Sequence, residues 1–376
     1  MTTVSSYGTI GRTLNAALAT RDRLDLLTRQ AATGRVAETF GGLAPNARVS
    51  IDLRAAIARR ESYGQAIATA EARIAVMQPA LGRIGEIATG TVQAALAAVT
   101  QGRNAIPVLA QSAREALAEV AAMLNATAGD EYVFNGSDVT RPPIPNAGAI
   151  LQSGFFTQIQ AAVQQVGQPW DHDANPLTPN VPRGATQVLA DTLAIAASTA
   201  PGTTPFSAFL EGPGASEPRL GLVADDSQRV TYGLRANANG LAQSRTDPPS
   251  TGSFIRDILR GLAVLGSLDE DLAAIDDPAL AGDGIHELLI GVSRSLQSAV
   301  KTLEEERGAL GVAEQRLAAL KERHLDMLVV LKAQVGKVED VDLAEVSARL
   351  QLLQTQLEMS YRLIAGLRDL NLARFL

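Results

Sequence analysis

The sequence predicts a mainly α fold, an elongated antiparallel helical bundle of long coiled-coil-like helices formed by both chain ends, with a central mixed α/β insert. Apolar residues near both ends alternate at spacings of three and four residues, which is the pattern of a coiled-coil strand. Gly and Pro residues punctuate the chain between about residue 130 and about residue 280. Aromatic residues make up only 4% of the 376 residues, a composition that suits long helices.

The amino-terminal third is predicted to form three helices. The seam of the first consists of Ile10, Leu14, Ala17 and Leu24. The stretch TGRVAETFGGLAPNA then breaks the helix with Gly and Pro residues. An apolar stripe from Leu53 to Ala95 predicts a long second helix, in which Pro79 should cause a kink or remove a hydrogen bond. Pro107 opens a third helix, whose stripe continues to Thr127.

The carboxy-terminal part is predicted to form two more helices. The longest stripe begins at Ile285 and is interrupted only by Glu306 and His324. Asp342 followed by Glu345 is typical of a capping box that starts a final helix. The seam of this final helix consists of Leu343, Val346, Leu350, Leu353, Leu357, Ile364 and Leu367.

These stripes predict the domain organisation. It comprises an amino-terminal assembly helix and linker (1–45), long rod helices (46–130), a central insert domain (131–284), a long carboxy-terminal rod helix (285–338) and a carboxy-terminal assembly helix (339–376). If the two end helices pair with each other, each still leaves part of its apolar surface exposed. That remaining surface predicts self-assembly.

Composition argues against several classes of protein. The formal net charge of −7 argues against a general nucleic-acid binder. The absence of Cys excludes disulfides, metal-thiolate sites and a Cys nucleophile. No window reaches the roughly 18 apolar residues of a membrane span, so membrane insertion is not expected. The first residues, MTTVSSYGTIGRTLNAALAT, lack the apolar core and basic flank of a cleavable signal peptide.

No catalytic, cofactor-binding or metal site is expected. The stretch DHDAN resembles the first half of a calcium loop, but Pro176 replaces the required Gly and Pro182 stands where the bidentate Glu should be. The residues His172, His286 and His324 do not show metal-ligand spacing. The sequence also lacks a Gly-Lys-Ser/Thr phosphate loop and a Gly-x-Ser-x-Gly nucleophile turn.

Four stretches near the two chain ends resemble the bacterial flagellin superfamily. QAATGRV, from Gln30 to Val36, is similar to a Gln-x-x-(Ser/Thr)-Gly-x-Arg stretch after the first helix of that family, with Arg35 one place early. LGRIGEIA (81–88) and ERGALGVAEQRL (306–317) resemble segments of its helical rods. The final helix, which ends at Leu376, resembles its terminal assembly helix. The resemblance covers about residues 1–137 and 285–376.

A further stretch, GDEYVFNGSDVTRPPI, resembles a signature of the superfamily's hook–filament junction branch, hook-associated protein type three. The residues that match Tyr-Leu-Phe-x-Gly…Pro are Tyr132, Phe134, Gly136 and Pro143, while Asn135 and Ile144 depart from the signature. The residues themselves predict a short strand that leaves a helix and turns two aromatic side chains into the core of the insert.

The resemblance implies a structural subunit of the bacterial flagellum, not an enzyme, that joins hook to filament by coiled-coil self-assembly of its terminal helices. It implies export through the flagellar type III apparatus. The implied partners are an export chaperone, other copies of the chain, and neighbouring axial proteins such as a hook-associated protein and flagellin. Two alternatives stay open: a flagellin that builds the filament itself, and an intracellular helical scaffold or adaptor. An enzyme hidden in residues 138–280 is a more remote one.

Overall fold

The computed structural model describes residues 3–174, 178–237, 248–269 and 284–369. In these ranges the helices are α1 (Thr3–Thr33), α2 (Ala47–Gln101), α3 (Ile106–Leu124), α4 (Gly154–Val163), α5 (Ala185–Ala197), α6 (Ala208–Glu211), α7 (Phe254–Gly266), α8 (Ile285–Glu339) and α9 (Leu343–Asp369). Short strands form antiparallel pairs: β1 (Thr127–Ala128) with β2 (Glu131–Tyr132), β3 (Pro169–Trp170) with β4 (Val181–Pro182), and β5 (Gly221–Asp225) with β6 (Gln228–Thr231). The predicted mainly α fold with a mixed insert is confirmed.

The chain divides into two compact units. The terminal unit comprises the described residues of Met1–Ser62 and Glu322–Leu376, and the central unit comprises those of Tyr63–Lys321. Helices α2 and α8 contribute residues to both units. In the central unit, the segment predicted as an insert shares one apolar core with parts of α2, α3 and α8.

The long helices α2 and α8 pair with each other in both units, which agrees with the predicted antiparallel bundle. Arg54 pairs with Glu339 and Glu61 with Lys332 in the terminal unit, whereas Glu71 pairs with Lys321 and Gln78 with the carbonyl of Arg307 in the central unit. Residue numbers rise along α2 as they fall along α8, so the pairing is antiparallel within each unit. Pro79 lies inside α2, which continues as a single helix from Ala47 to Gln101.

Helix α3 joins this pair in the central unit but ends earlier than predicted. Arg83 of α2 pairs with Glu119 of α3 at 3.0 Å. The helix stops at Leu124, and Thr127, predicted as a helical position, belongs to strand β1. The side chain of Asn125 explains the stop, because its Nδ2 donates to the carbonyl of Ile144 at 2.8 Å and its Oδ1 accepts the Ile144 N–H at 2.9 Å. These bonds turn the chain into the strand.

Helix α7 lies in the core of the central unit, where each of its residues is buried and it packs against α3, α4 and α5. It carries Arg256, whose Nη2 donates to both carboxylate oxygens of Glu211 at 2.6 and 2.8 Å. The same guanidinium donates to the carbonyls of Asn237 and Ala196, both at 2.9 Å, and lies 4.9 Å from the ring centre of Phe206. These partners offset the desolvation cost of a buried charge.

Candidate self-assembly surface

Helices α1 and α9 pack against each other in the terminal unit. The N–H of Val341 donates to the carbonyl of Gly34 at 3.0 Å, which places the end of α1 beside the start of α9. Because α1 ends where α9 begins and the two helices pack against each other, they run antiparallel. The last helix therefore has the partner expected from the sequence, the amino-terminal helix of the same chain.

The predicted seam residues are covered to different degrees. Ala17 and Val346 are buried, while Leu24, Leu350, Leu353, Leu357 and Ile364 are half-buried. Leu14 and Leu343 remain 51% and 53% exposed. Ile10 and Leu367 lie in helices, but their side chains are outside the described residues. One α1–α9 pair thus covers the stripe incompletely, and the role of these residues in assembly stays a prediction.

A second apolar face of α9 is not apparent from the predicted seam. Leu352, Met359 and Leu363 are 59%, 53% and 65% exposed. At about 100° per residue they lie within about 40° of one another and about 120° from the centre of the seam. The seven-residue step from Leu352 to Met359 is the signal in the sequence that could have revealed this face.

The end of α8 adds further exposed apolar side chains to the terminal unit. Leu325, Met327, Val329 and Val330 are all exposed, and Val329 is the most exposed of them at 70%. Most of the exposed large apolar side chains in the described part of the chain lie in this unit. Large exposed apolar surfaces commonly mark sites of protein–protein contact.

Hydrogen bonds tie the α1–α2 connection to the α8–α9 connection. The N–H of Val36 donates to the carbonyl of Glu339 at 2.7 Å, beside the bond from Val341 to Gly34. Gly34 has a φ of 69°, in the left-handed region that glycine adopts without steric cost. The side chain of Gln30 donates to the carbonyl of Val36 at 2.8 Å. The stretch QAATGRV therefore shapes this connection.

Asp342 begins helix α9, as predicted. Its Oδ1 accepts the N–H groups of Ala344 at 2.9 Å and Glu345 at 3.2 Å, which satisfies two donors that a helix start leaves free. The carboxylate of Glu345 pairs with Arg349 one turn later and does not bond back to Asp342, so only the Asp342 half of the predicted capping box is formed. The cap fixes the first turn of α9 directly after the α8–α9 connection.

Glu339 contributes a buried carboxylate to the α8–α9 connection. Its side chain is only 7% exposed and accepts bonds from Ser50 Oγ at 2.5 Å and from Arg54 Nε and Nη2 at 2.7 and 2.5 Å. The hydrogen bonds from Arg54 and Ser50, assisted by the charges of Arg54 and Arg35, lower the pKa of Glu339 from 4.5 to about 2 against the opposing effect of burial. The carboxylate is therefore ionised at neutral pH.

Most of α8, the connection at Glu339 and the whole of α9 form one continuous segment of the chain that is similar to a known family. Residues 294–376 match the model of the bacterial flagellin C-terminal helical region. The match supports a place in the bacterial flagellin superfamily, a family of structural, non-enzymatic proteins that assemble into the flagellar polymer. No curated protein matches the chain.

The flagellin-like region contains both apolar faces of α9 and the residues of the α8–α9 connection. It contains every seam residue predicted for the final helix. Helix α1 and the stretch QAATGRV lie outside the matched residues. In the terminal unit, they pack on or bond to the flagellin-like region, as do Ser50, Arg54 and Glu61 of α2.

The predicted junction signature lies in the central unit. Phe134 and Pro143 are buried and Tyr132 is half-buried. Gly136 has a φ of 66°, and a Cβ atom there would lie 3.2 Å from a carboxylate oxygen of Glu217. Glycine thus suits this position both conformationally and sterically. The signature residues form part of the central core, with Phe134 turned inward as predicted.

Asn135, which departs from the signature, is fully buried and well bonded. Its Nδ2 donates to the carbonyls of Asp138 at 2.8 Å and Arg141 at 3.0 Å. Its Oδ1 accepts a hydrogen bond from Ser207 Oγ at 3.2 Å. The amide therefore holds the turn after Phe134 and links it to α6, a role that a small apolar residue would not fill.

The other polar clusters of the sequence do not form a recognisable site in the described residues. Asp173 of DHDAN accepts a hydrogen bond from Thr178 at 2.7 Å, whereas Asn175 and Pro176 lie outside the described residues. Where the structure describes the chain, no three His, Asp or Glu side chains are grouped to hold a metal ion. Among the same residues, no helix combines the length and apolar character needed to cross a bilayer.

Proposed function

We propose that this chain is the hook–filament junction subunit of a bacterial flagellum. The flagellin C-terminal region supports a flagellar structural subunit. The resemblance of Tyr132, Phe134, Gly136 and Pro143 to the junction signature favours the junction branch. In this proposal the chain leaves the cell through the flagellar type III apparatus with the help of a chaperone. It then assembles with further copies and with neighbouring axial proteins.

The observation that carries the proposal is the second apolar face of α9 inside the flagellin-like region. The seam side of α9 packs on α1, and Leu352, Met359 and Leu363 remain more than half exposed. A helix that presents apolar residues on two sides can pack against two neighbours. Other copies of the same helix pair are partners of matching chemistry, because they present the same apolar faces.

A deletion strain tests the junction role. We expect the strain that lacks this chain to carry hooks without filaments in electron micrographs, with filament protein shed into the medium. Supplying the parental chain should restore filaments. A strain that still assembles filaments of normal length on its hooks would contradict the proposal.

A filament flagellin is the second candidate, because the matched region is named for flagellin itself. Copy number separates the two roles. A junction subunit forms a short collar and is a minor component of sheared flagella, whereas a flagellin dominates them. Quantitative mass spectrometry of sheared flagella measures this ratio directly.

An intracellular scaffold is distinguished by secretion. If the chain is a flagellar subunit, it accumulates in the medium of a strain that cannot assemble filaments and disappears from the medium when the flagellar export apparatus is deleted. A chain that stays inside the cell in both strains would support the scaffold.

A further inference from the structure

We propose that Glu339, through its bonds to Ser50 and Arg54, forms a latch that acid releases. The latch holds the α1–α2 and α8–α9 connections against the start of α2. It thereby sets the direction in which the α1–α9 pair leaves α8. This inference concerns the conformation of the terminal unit. It goes beyond assembly and does not depend on the flagellar role. We use "latch" for the side chains of Glu339, Ser50 and Arg54.

The latch joins three segments that are far apart in sequence. Ser50 and Arg54 lie in the first turns of α2, and Glu339 is the last residue of α8. The backbone carbonyl of the same Glu339 accepts the N–H of Val36 in the α1–α2 connection. One residue therefore uses its side chain to bind α2 and its backbone to bind the connection that precedes α2.

The neighbouring bonds depend on this arrangement. The N–H of Val341 reaches the carbonyl of Gly34 two residues beyond Glu339, and residues Arg35 and Asp340 form an antiparallel bridge between the two connections. If the Glu339 side chain leaves α2, this short ladder loses its anchor at the end of α8. The α1–α9 pair is then tied to the rest of the terminal unit by two flexible connections.

The negative charge of the Glu339 side chain holds the latch together. Arg54 of α2 faces the carboxylate in a bidentate ion pair, and Arg35 of the α1–α2 connection adds a second positive charge. Lys337, Asp340 and Asp342 are the charged neighbours on its own segment. Ser50 donates its hydroxyl proton. Protonation of Glu339 removes the ionic acceptor that both Arg54 and Ser50 use, so acid weakens every side-chain bond of the latch.

Amide hydrogen exchange on the full chain tests the proposal, because Val36 and Val341 report on the two connections directly. The test variant is Glu339→Gln, which keeps the shape of the side chain and removes its charge. The matched control is Glu61→Gln, which breaks an ion pair with Lys332 between the same two helices at 3.1 Å. That pair is largely exposed and should contribute little.

At neutral pH we expect Glu339→Gln to accelerate exchange at Val36 and Val341 about tenfold, the effect of losing charge-assisted hydrogen bonds. The control variant should exchange like the parent at both amides. Amides of α7 in the central unit should be unchanged in both variants. Parental protection at Val36 and Val341 in Glu339→Gln, or an equal loss in the control, would overturn the proposal.

If Glu339→Gln does not fold, the proposal can still be tested by measuring amide exchange of the parental chain as a function of pH. After correction for intrinsic exchange, protection of Val36 and Val341 should fall as the pH drops from 4.5 towards about 2, while α7 stays protected. In a folded Glu339→Gln variant these two amides should lose their dependence on pH over the same range. Protection that stays constant in the parent across this range would refute an acid-releasable latch.

Discussion

The second apolar face of α9 offers the most direct test of assembly. The double variant Leu352→Asp/Met359→Asp introduces two charges at positions that are 59% and 53% exposed in the single chain. Substitutions at such exposed positions change the free energy of unfolding by about 0.5 kcal/mol or less. The folded monomer should therefore tolerate both changes.

In an assembly that covers this face, the cost is larger. Complete burial of a Leu or Met side chain contributes about 1.5–3 kcal/mol, and roughly half of that remains to be gained at each of these two positions. The variant loses about 2 kcal/mol of association free energy, or roughly 30-fold in affinity, before the penalty of burying charge is added. We therefore expect the variant to fold and to be exported but to be almost absent from flagella.

The assay compares three quantities for each strain: the variant chain in sheared flagella, the variant chain in the medium, and the melting temperature of the purified monomer. The control is Gln351→Asp/Gln354→Asp, which adds the same charge at two exposed polar positions of α9 that lie about 100° and about 160° from the centre of the second apolar face. The control should enter flagella at a level close to the parent.

Two results would refute this reasoning. Parental incorporation of Leu352→Asp/Met359→Asp would show that the second face is not buried on assembly. A control variant that is excluded equally would show that added charge, and not loss of apolar contact, causes the defect. A fall in the monomer's melting temperature would instead show that this face is needed for folding.

Three further predictions concern stability. Phe134→Ala should destabilise the central unit by about 3–5 kcal/mol, because this side chain is fully buried, and calorimetry should show a lower melting temperature. Arg256→Met should cost about 3–5 kcal/mol because it leaves Glu211 charged and buried, whereas adding Glu211→Leu should recover much of that loss in denaturant titrations; a double variant as unstable as the single one would count against this view. Asp342→Ala should cost about 1 kcal/mol of local stability and increase exchange of the first amides of α9, with no change in α7.

Local periodicity was sufficient to predict the long helices. The apolar stripes predicted α1, α2, α8 and α9. Gly and Pro residues predicted the break after α1, and Asp342 predicted the start of α9. These features depend on residues three to seven positions apart, and helix geometry brings such residues onto one face whatever the rest of the chain does. The antiparallel pairing of α2 with α8 agrees with the bundle that the stripes at both chain ends predicted.

Contacts between distant residues could be established only from the tertiary structure. Glu339 contacts Ser50 and Arg54 across most of the chain, and nothing in its local sequence indicates those partners. Thr127 continues the helical spacing of α3, but Asn125 ends the helix by bonding to Ile144. Helix α7 contains charged residues typical of a surface helix, yet it is buried because Glu211 and distant carbonyls satisfy Arg256. Periodicity records which faces are apolar, whereas burial and ionisation depend on groups that folding brings together from remote parts of the sequence.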